Sequence, residues 1–513
     1  MPTLHRSFRD FILVILSSCL LVLPFHFGEL GALGYFSFIP YFLALRDKTP
    51  GEAFGFSFLF GVFFFTFLGY WLTLVNVFGF FLLVLYLALY FAVFGWIASK
   101  FLNKNTSSMF FIAAFWVALE YVRGWMIGGL PWALLGYSQW KQIVFIQIAE
   151  ITGAYGVSYF VILVNLLLFK GFSKKTDSKA WVVLCVVFSG VTLYGILSLR
   201  SRDAFYTSEA PKAIIRVAVL QGNIPQEKKW DARIKDIIFE KYKRLMLMSA
   251  IEKADLIVWP ETSFPGFLED EPVMAANLRG AIRQSQTQVL VGAPTMGNLD
   301  EGLRFYNSAV LYNASGEEKK RYNKVHLVPF GEYVPFEPLI GFIRHFVSIG
   351  HFNAGDEKTI FTVGTRYEKI NIKAKFAALI CYEDIFPGLV RDFCRNGADF
   401  LVNITNDAWF GKTTAPYQHT QASIFRAVEN RIPVVRSTNT GFSCFISPEG
   451  RILARVEDNG KELFVTSHKN IDLILRKGRS FYTRFGDVFM LFVALLCVLA
   501  WRVKSGEHIY SRL

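Results

Sequence analysis

The sequence predicts a membrane protein in which an α-helical bundle of about eight transmembrane helices is joined to a large extramembrane α/β domain. Three observations support this fold class. Apolar residues make up 53% of the 513 residues, which is too many for an ordinary soluble protein. Most of the long apolar runs lie in the first two hundred residues. From about Lys212 the pattern changes to short β-rich segments separated by helical ones, so we expect at least two structural units.

Eight apolar runs have lengths close to the ~20 residues that are needed to cross the hydrocarbon core of a bilayer. Seven of them predict an N-terminal transmembrane region over residues 1–200, and the eighth predicts a C-terminal helix over residues 485–502. The runs are Phe11–Phe25, Gly31–Leu45, Phe54–Leu74, Phe80–Ser99, Met109–Trp125, Gly153–Phe169, Trp181–Leu199 and Phe485–Trp501. Because an unpaired carboxylate that faces lipid is costly, we expect Glu120 and Glu150 to lie near an interface or to pair with Arg123 or Lys141.

The basic residues between these runs alternate from one connection to the next. The first and third connections carry none, and the fifth carries only Arg123 and Lys141. The two termini and the other connections hold the remainder, namely Arg6, Arg9, Arg46, Lys48, Lys100, Lys104, Lys170, Lys174, Lys175, Lys179, Arg502, Lys504 and Arg512. Since cytoplasmic loops are enriched in Lys and Arg, both termini are predicted to be cytoplasmic, with Ser201–Arg484 on the opposite side of the membrane.

The predicted extramembrane domain covers residues 212–470. Several of its β-rich runs are continuously apolar, which is typical of strands that are covered on both faces; examples are "ADLIVWPET", "FAALICYED" and "ADFLVNITND". Helical stretches such as "DIIFEKYKRLMLMSAIEKA" lie between some of them. The mixture predicts an α/β domain whose sheets are covered by helices. It contains no glycine-rich phosphate loop and no G-x-S-x-G motif.

The net charge of +13 does not indicate a nucleic-acid partner, because the basic residues lie in short loops and form no cluster interleaved with aromatic residues. Of the six cysteines, Cys381, Cys394 and Cys444 lie in the α/β domain, and an odd number leaves at least one unpaired. A pairing of Cys394 with Cys444 stays open. The chain has no CxxC or Cys/His spacing of the kind that binds a metal, so we expect neither a metal nor another cofactor.

Three segments at the ends of predicted strands carry residues suited to acyl transfer. "IVWPETSFPG" places Glu261 just after a proline that stops a strand, "RYNKVHLVPFGEYVP" contains Lys324 and Glu332, and "ALICYEDIFPG" places Cys381 at a strand end. A carboxylate can take the proton of a thiol, and an ammonium can stabilise both a thiolate and an oxyanion. Each residue also has a plain structural interpretation. Cys381 could be a core residue, Glu261 a helix cap and Lys324 a solvated surface lysine, and spacing alone does not show that they converge.

Together these motifs resemble the nitrilase superfamily of carbon–nitrogen hydrolases, whose fold is a four-layer α-β-β-α sandwich. The resemblance rests on "WPE", "YNKVHLVPFGEYVP" and "CYED", and it covers about Lys212–His468. The predicted helices on both sides of this domain narrow the resemblance to one family. With them, the whole chain is similar to the bacterial apolipoprotein N-acyltransferase family. That resemblance implies Glu261 as general base, Lys324 as the cation that stabilises the oxyanion, and Cys381 as nucleophile. It also implies supporting or substrate-binding roles for Glu332, Tyr382, Glu383 and Trp230.

The reaction implied by the resemblance proceeds in two stages through a thioester on Cys381. The acyl donor would be a membrane phospholipid, phosphatidylethanolamine in particular, and the acceptor the N-terminal amine of an S-diacylglyceryl-cysteine in an apolipoprotein. The enzyme would be a multi-pass protein of the bacterial inner membrane with its catalytic domain on the periplasmic side. The predicted topology is consistent with this, because the loop charges are independent of the cysteine motif.

Several alternatives stay open at this stage. Glu332 either holds Lys324 in place, which we favour, or assists proton transfer. The apolar stretch Leu339–Phe352 is either a buried loop or a membrane-dipping arm that admits acyl chains. The competing functions are a membrane-anchored amidase that uses water as acceptor, a catalytically inactive lipoprotein receptor and a transporter. The number of helices argues against the first, the intact Glu/Lys/Cys set against the second, and the few ionisable residues in the spans against the third.

Overall fold

The computed structural model describes residues 2–172, 177–207, 212–299, 302–329, 331–333, 352–364, 373–476 and 478–510. The chain divides into two compact units. One consists of Met1–Ser208 together with Arg484–Leu513, and the other of Glu209–Thr483. The predicted arm over Leu339–Phe352 lies outside the described residues except for Phe352.

The described residues of the first unit form helices and the connections between them. Its α-helices are α1 (Pro2–His26), α2 (Ile39–Leu45), α3 (Pro50–Gly69), α4 (Val77–Ala98), α5 (Ser107–Arg123), α6 (Ile143–Ile146), α7 (Ala149–Gly171), α8 (Ser178–Thr207) and, from the end of the chain, α14 (Phe489–Tyr510). Helix α3 begins with a capping box, in which Thr49 and Glu52 satisfy each other's backbone N–H groups before a long apolar run.

Six helical segments in the described part of the chain are long and apolar enough to cross a membrane. They are Arg6–His26, Gly28–Leu45, Pro50–Leu74, Val77–Ala98, Ala149–Gly171 and Ser178–Thr207. The prediction of a multi-helix membrane region is confirmed. The other two of the eight predicted runs coincide with α5 and α14, and the apolar part of α14, Phe489–Ala500, is shorter than the six.

The two carboxylates that the sequence places among the helices both have partners. Glu120 is buried and its Oε1 accepts a hydrogen bond from the backbone N–H of Leu135 at 2.7 Å. Glu150 forms an ion pair with Arg202 at 2.8 Å. The partner of Glu150 is therefore Arg202 on α8, whereas Lys141, one of the two expected partners, pairs with Glu29.

In the residues that the structure describes, the second unit contains two six-stranded sheets. Their strands are β1 (Ala213–Gln221), β2 (Leu256–Val258), β3 (Gln288–Leu299), β4 (Gly302–Tyr312), β5 (Glu318–Asn323), β6 (Ile360–Gly364), β7 (Lys373–Ile380), β8 (Phe400–Thr405), β9 (Val434–Thr438), β10 (Cys444–Ile446), β11 (Ile452–Arg455) and β12 (Ser467–Leu475). The first sheet has the order β12-β1-β2-β3-β4-β5, and the second has the order β11-β10-β9-β8-β7-β6. Parallel pairing joins β1, β2 and β3 in one sheet and β7, β8 and β9 in the other.

Helices cover the sheets, and the sheets contact each other. The helices of this unit are α9 (Lys235–Ile251), α10 (Pro272–Ser285), α11 (Pro387–Arg395) and α12 (Ala415–Asn430), and α13 (Phe481–Phe485) begins in it and ends in the first unit. Apolar side chains of α9 and α10 form one buried cluster with those of β2, β3 and β4. Helices α11 and α12 pack against β7, β9 and β10, while β1 contacts β9 and β4 contacts β7 between the sheets. The predicted α/β domain with covered sheets is confirmed.

The central strands are apolar along their length because both faces are covered. In β7 the residues from Phe376 to Ile380 are all buried, and all of β2 and β8 is buried. The buried strands β2 and β7 each end next to one of the chemically interesting residues, so the rigid part of the domain holds the candidate site.

Candidate active site

Cys381 follows β7 directly and opens a short 3-10 turn, Cys381–Ile385. Its φ is +56°, a left-handed backbone conformation that a residue with a side chain rarely adopts and that typically costs about 1–3 kcal/mol. Two hydrogen bonds hold the turn in this conformation. The Nδ2 of Asn403 donates to the Cys381 carbonyl at 2.8 Å, and the backbone N–H of Ile380 donates to Glu383 at 2.7 Å. The backbone thus turns sharply at the cysteine, directly after the strand ends.

Glu261 lies just beyond β2, where Trp259 and Pro260 end the strand. Its side chain is buried, and Oε1 accepts a hydrogen bond from Asn307 Nδ2 at 2.8 Å. The next residue, Thr262, has a φ of +43°, so the chain turns sharply directly after the carboxylate. These contacts hold the carboxylate in one place.

Lys324 follows β5 and is 1% exposed. Its Nζ lies 2.9 Å from both carboxylate oxygens of Glu332 and 3.9 Å from Oε1 of Glu261. Burial lowers the pKa of Lys324, but its acidic neighbours, Glu332 first, outweigh this effect and raise the pKa above its ordinary value. The lysine therefore stays charged, and the geometry of Glu332 is that of a residue that holds it.

The thiol of Cys381 shares an electrostatic environment with both of these residues. Burial and the neighbouring Glu261 raise the pKa of Cys381, while Lys324 lowers it in part, and the net direction is upward. The resting sulfur is thus a neutral thiol, and a nearby base must take its proton before it can attack a carbonyl. Among the three predicted residues Glu261 is the group with the chemistry to do this.

Tyr382 and Glu383 connect the cysteine turn to the segment that carries Lys324. The Tyr382 hydroxyl donates to the carbonyl of Leu327 at 3.0 Å. Glu383 is fully buried and accepts four hydrogen bonds; the donors are the Tyr322 hydroxyl and the backbone N–H groups of Val325, His326 and Ile380, at 2.7–3.0 Å. Burial raises the pKa of Glu383 to about 7, although these donors and Lys324 lower it.

Trp230 does not contact the other predicted residues in any described interaction, and its side chain is 53% exposed. Its neighbour Lys229 is buried instead, and Lys229 Nζ donates to the main-chain carbonyl of Glu261 at 3.0 Å. The sequence interpretation missed Lys229, because a lysine next to Lys228 in a polar segment has the pattern of a solvated residue. It also missed Asn307, which bridges Glu261 and Glu332 and lies on a strand with no distinctive motif.

A second cluster of buried charges lies behind the cysteine turn and was also missed. His419 on α12 contacts Asp384 through Nε2 at 2.9 Å and Asp407 through Nδ1 at 3.1 Å. Arg436 on β9 donates to Asp384 at 2.8 Å, and Ser423 also donates to Asp384. Burial lowers the pKa of His419, but the adjacent carboxylates, Asp384 first, raise it to about 9. Asp384 belongs to the same turn as Cys381, so this cluster supports the turn from behind.

The part of the chain that the structure describes contains no group of three or more His, Cys, Asp or Glu residues arranged to hold a metal ion. All six cysteines are free thiols, so Cys394 and Cys444 are not joined by a disulfide. The site thus consists of a neutral thiol, a buried carboxylate and a buried ammonium. Such a set can deprotonate a thiol, attack a carbonyl and stabilise the oxyanion that results.

Comparisons with known proteins identify families that this chain matches. The family model for carbon-nitrogen hydrolases matches residues 216–473, and the model for the apolipoprotein N-acyltransferase N-terminal domain matches residues 17–167. A protein of Geobacter metallireducens named apolipoprotein N-acyltransferase is 37% identical, over 98% of this chain and 97% of its own length. A Pasteurella multocida protein of the same name is 30% identical, over 97% of this chain and 95% of its own length. Among solved structures, an amidase from Nesterenkonia sp. is 19% identical with a TM-score of 0.39, covering 54% of this chain and 94% of the amidase.

Proposed function

Because the chain belongs to the apolipoprotein N-acyltransferase family, we propose that it transfers a fatty acyl chain from a membrane phospholipid to an apolipoprotein. It is an acyltransferase of the nitrilase superfamily and a multi-pass membrane protein. The acceptor is the N-terminal amine of an S-diacylglyceryl-cysteine, and the transfer completes the maturation of the lipoprotein. The donor is a glycerophospholipid, phosphatidylethanolamine in particular, and nucleic acid has no part in the reaction.

In the first half-reaction the carboxylate of Glu261 takes the proton of the Cys381 thiol. The thiolate attacks the sn-1 ester carbonyl of the phospholipid, and the charge of Lys324 stabilises the tetrahedral oxyanion. The carbon–oxygen bond to the glycerol then breaks. The leaving alkoxide takes the proton back from Glu261 and departs as a lysophospholipid, and a thioester remains on Cys381.

In the second half-reaction the uncharged α-amine of the apolipoprotein attacks the thioester carbonyl. Glu261 takes a proton from the attacking nitrogen and passes it to the departing Cys381 sulfur, so an amide forms and the thiol is restored. A thioester suits this order, because it is more reactive toward an amine than the ester from which it was made. Glu332 holds Lys324 in place throughout, and Tyr382 and Glu383 support the turn that presents the sulfur.

We also propose that the protein lies in the bacterial inner membrane with both termini in the cytoplasm and the catalytic domain on the periplasmic side. The proposed anchors are residues 1–200 and 485–502, and the proposed catalytic domain covers residues 212–470. The alternation of basic residues between the apolar runs supports this orientation. The heads of phospholipids and of diacylglyceryl lipoproteins would then meet the site at the outer face of that membrane.

One observation carries the proposed chemistry. A buried ammonium, that of Lys324, is held by Glu332 within 3.9 Å of the Glu261 carboxylate, and both charges act on the Cys381 thiol. The described part of the chain has six helices long and apolar enough to cross a membrane, so the carbonyl compound available to the site is the ester of a lipid.

The decisive experiment is to incubate the purified protein with phosphatidylethanolamine alone and to measure its intact mass. We expect an increase equal to one fatty acyl group that hydroxylamine removes. Cys381→Ser should show no hydroxylamine-sensitive adduct, whereas Cys185→Ser, which changes an exposed thiol outside this site, should behave as the unaltered protein. Release of free fatty acid without an adduct would contradict the proposal and favour a hydrolase.

The orientation has its own test. A reporter enzyme that is active only in the cytoplasm should be inactive when it is fused after Thr207 and active when it is fused after Lys170. An active reporter after Thr207 would reverse the proposed topology and leave the acyl transfer chemistry unaffected.

A further inference from the structure

We propose that Lys229 is a positioning residue for the acyl transfer, a second buried cation that acts through Glu261 and Cys381 and makes formation of the thioester depend on its charge. This inference rests on the proposed function, and it adds a residue that the sequence motifs do not contain. Lys229 belongs to a short segment that begins with the 3-10 turn Gln226–Lys228.

The side chain of Lys229 is directed inward between two exposed neighbours. Lys228 and Trp230 are both exposed, whereas Lys229 is 5% exposed. Burying an ammonium carries a large desolvation penalty unless other groups compensate for it. A solvated loop lysine would lie at the surface like Lys228, so the inward direction of Lys229 calls for an explanation at the site to which it points.

The ammonium of Lys229 reaches the main chain of the base. Its Nζ donates to the Glu261 carbonyl at 3.0 Å, and within the described part of the chain this is its one hydrogen bond. The carbonyl precedes Thr262, whose φ of +43° marks a turn that is unfavourable without support. Lys229 thus fixes the backbone from which the Glu261 carboxylate extends.

The two buried ammonium groups of the site, those of Lys324 and Lys229, differ in the number of hydrogen bonds and acidic neighbours that hold them. Lys324 contacts both oxygens of Glu332, and its charge is held by three acidic neighbours. Lys229 makes one hydrogen bond to a neutral carbonyl, and the acidic groups that act on it are Glu261 and Cys381. Negative charge passes from Glu261 to Cys381 when the proton of the thiol is transferred, so the charge of Lys229 stabilises the single negative charge that this pair carries in either state.

The environment also makes Lys229 the cation that titrates near neutral pH. Burial lowers its pKa to about 8, although Glu261 and Cys381 oppose this effect. The titratable groups that face it are Glu261 after β2 and Cys381 after β7, while Glu227 and Lys228 on its own turn are exposed. Above about pH 8 the site therefore loses one positive charge, and it keeps the charge of Lys324.

The test measures the initial rate of thioester formation from phosphatidylethanolamine between pH 6 and pH 10. The unaltered protein should lose rate as the pH rises through about 8. Lys229→Arg keeps the charge and should not show this decline. Lys229→Met should be about tenfold to a hundredfold slower at pH 7, the size of effect that a small misplacement of a catalytic group produces, and should show no decline through pH 8. Lys228→Met serves as the matched control on the adjacent exposed lysine and should behave as the unaltered protein.

A second measurement separates this inference from the proposed function. Iodoacetamide alkylates Cys381 without any lipid, and Cys381→Ser corrects for the other thiols. We expect slower alkylation of Lys229→Met at pH 8, with the midpoint of the pH profile shifted upward relative to Lys228→Met. If Lys229→Met alkylates like the unaltered protein, or if Lys229→Arg retains the decline in thioester formation, the inference is wrong. If no variant forms a thioester but the alkylation profiles shift as expected, the proposed function fails and the role of Lys229 stands.

Discussion

The change Glu383→Gln tests whether one buried carboxylate holds the cysteine turn and the lysine segment together. Glu383 accepts four hydrogen bonds and donates none, and three of its donors are backbone N–H groups that cannot move away without distorting the chain. Glutamine has nearly the same shape, but it replaces one acceptor oxygen with an NH2 group. The change therefore alters hydrogen bonding with almost no effect on volume.

The magnitude follows from the four contacts. In its best orientation the glutamine oxygen keeps the three donors of Oε1, and its NH2 group faces the N–H of Ile380. One buried donor is then unsatisfied, which costs about 1–3 kcal/mol, and above pH 7, where Glu383 is ionised, the three remaining bonds also lose their charge assistance. We expect a loss of about 3 kcal/mol in the free energy of unfolding of the domain, or a Tm about 6–12 °C lower. Because Val325 adjoins Lys324, a displacement of about 1 Å would also slow thioester formation about a hundredfold.

The assay pairs a thermal unfolding curve in detergent, followed by tryptophan fluorescence, with the rate of thioester formation at a temperature where the variant is folded. Glu357→Gln changes an exposed carboxylate of the same domain and should alter neither quantity. A Glu383→Gln protein with unaltered Tm and unaltered rate would refute the idea that this carboxylate joins the two segments. A lower Tm with an unaltered rate would restrict its role to stability.

Two further predictions concern the base and the buried histidine. Gly292→Ala should reduce thioester formation at least tenfold, because the added Cβ would lie 2.8 Å from the Cα of Glu261 and displace the base. The control Gly388→Ala, whose added Cβ would have no atom within 4 Å, should be as active as the unaltered protein. Equal rates for the two variants would contradict this prediction. The folded-state pKa of His419 is raised from 6.5 to about 9, so its stabilising contribution is fully present below pH 6.5 and is lost as the pH rises through 9. On the order of 3 kcal/mol should disappear over that range, and His419→Gln should lack this part of the slope of Tm against pH; an unchanged slope would show that His419 is not its source.

Parts of the fold could be predicted because they depend on short windows of sequence. A run of about 20 apolar residues partitions into a membrane whatever the rest of the chain does, so the helical region could be recognised without tertiary information. The doubly covered strands β2, β7 and β8 were recognisable for a similar reason, because their continuous apolar runs have no solvent-facing side. The lengths of single helices were less certain, as α5 and α14 show, because helix ends depend on local packing.

The candidate site also has a part that the sequence could predict and a part that only the structure shows. Glu261, Lys324 and Cys381 could be recognised because each lies in a short motif at a strand end. Their spacing along the sequence did not show how close together they lie in space. Strands β2 and β5 of the first sheet run in the same direction, so their carboxyl ends lie at the same end of the sheet. This arrangement brings Lys324 Nζ to 3.9 Å from Glu261 Oε1. It also shows Glu332 in contact with the lysine, which favours the positioning role over direct proton transfer.

By itself, the sequence determined that this chain is a membrane protein with an α/β domain, and it supplied the three motifs of the proposed acyl-transfer site. Only the tertiary structure decided that Lys229 turns inward, that Trp230 does not, and that His419 lies between Asp384 and Asp407. The physical reason is that hydropathy acts locally, through the solvent around each segment. The charge state and direction of a polar side chain depend instead on groups that are distant in sequence and that only the packing of two sheets brings near.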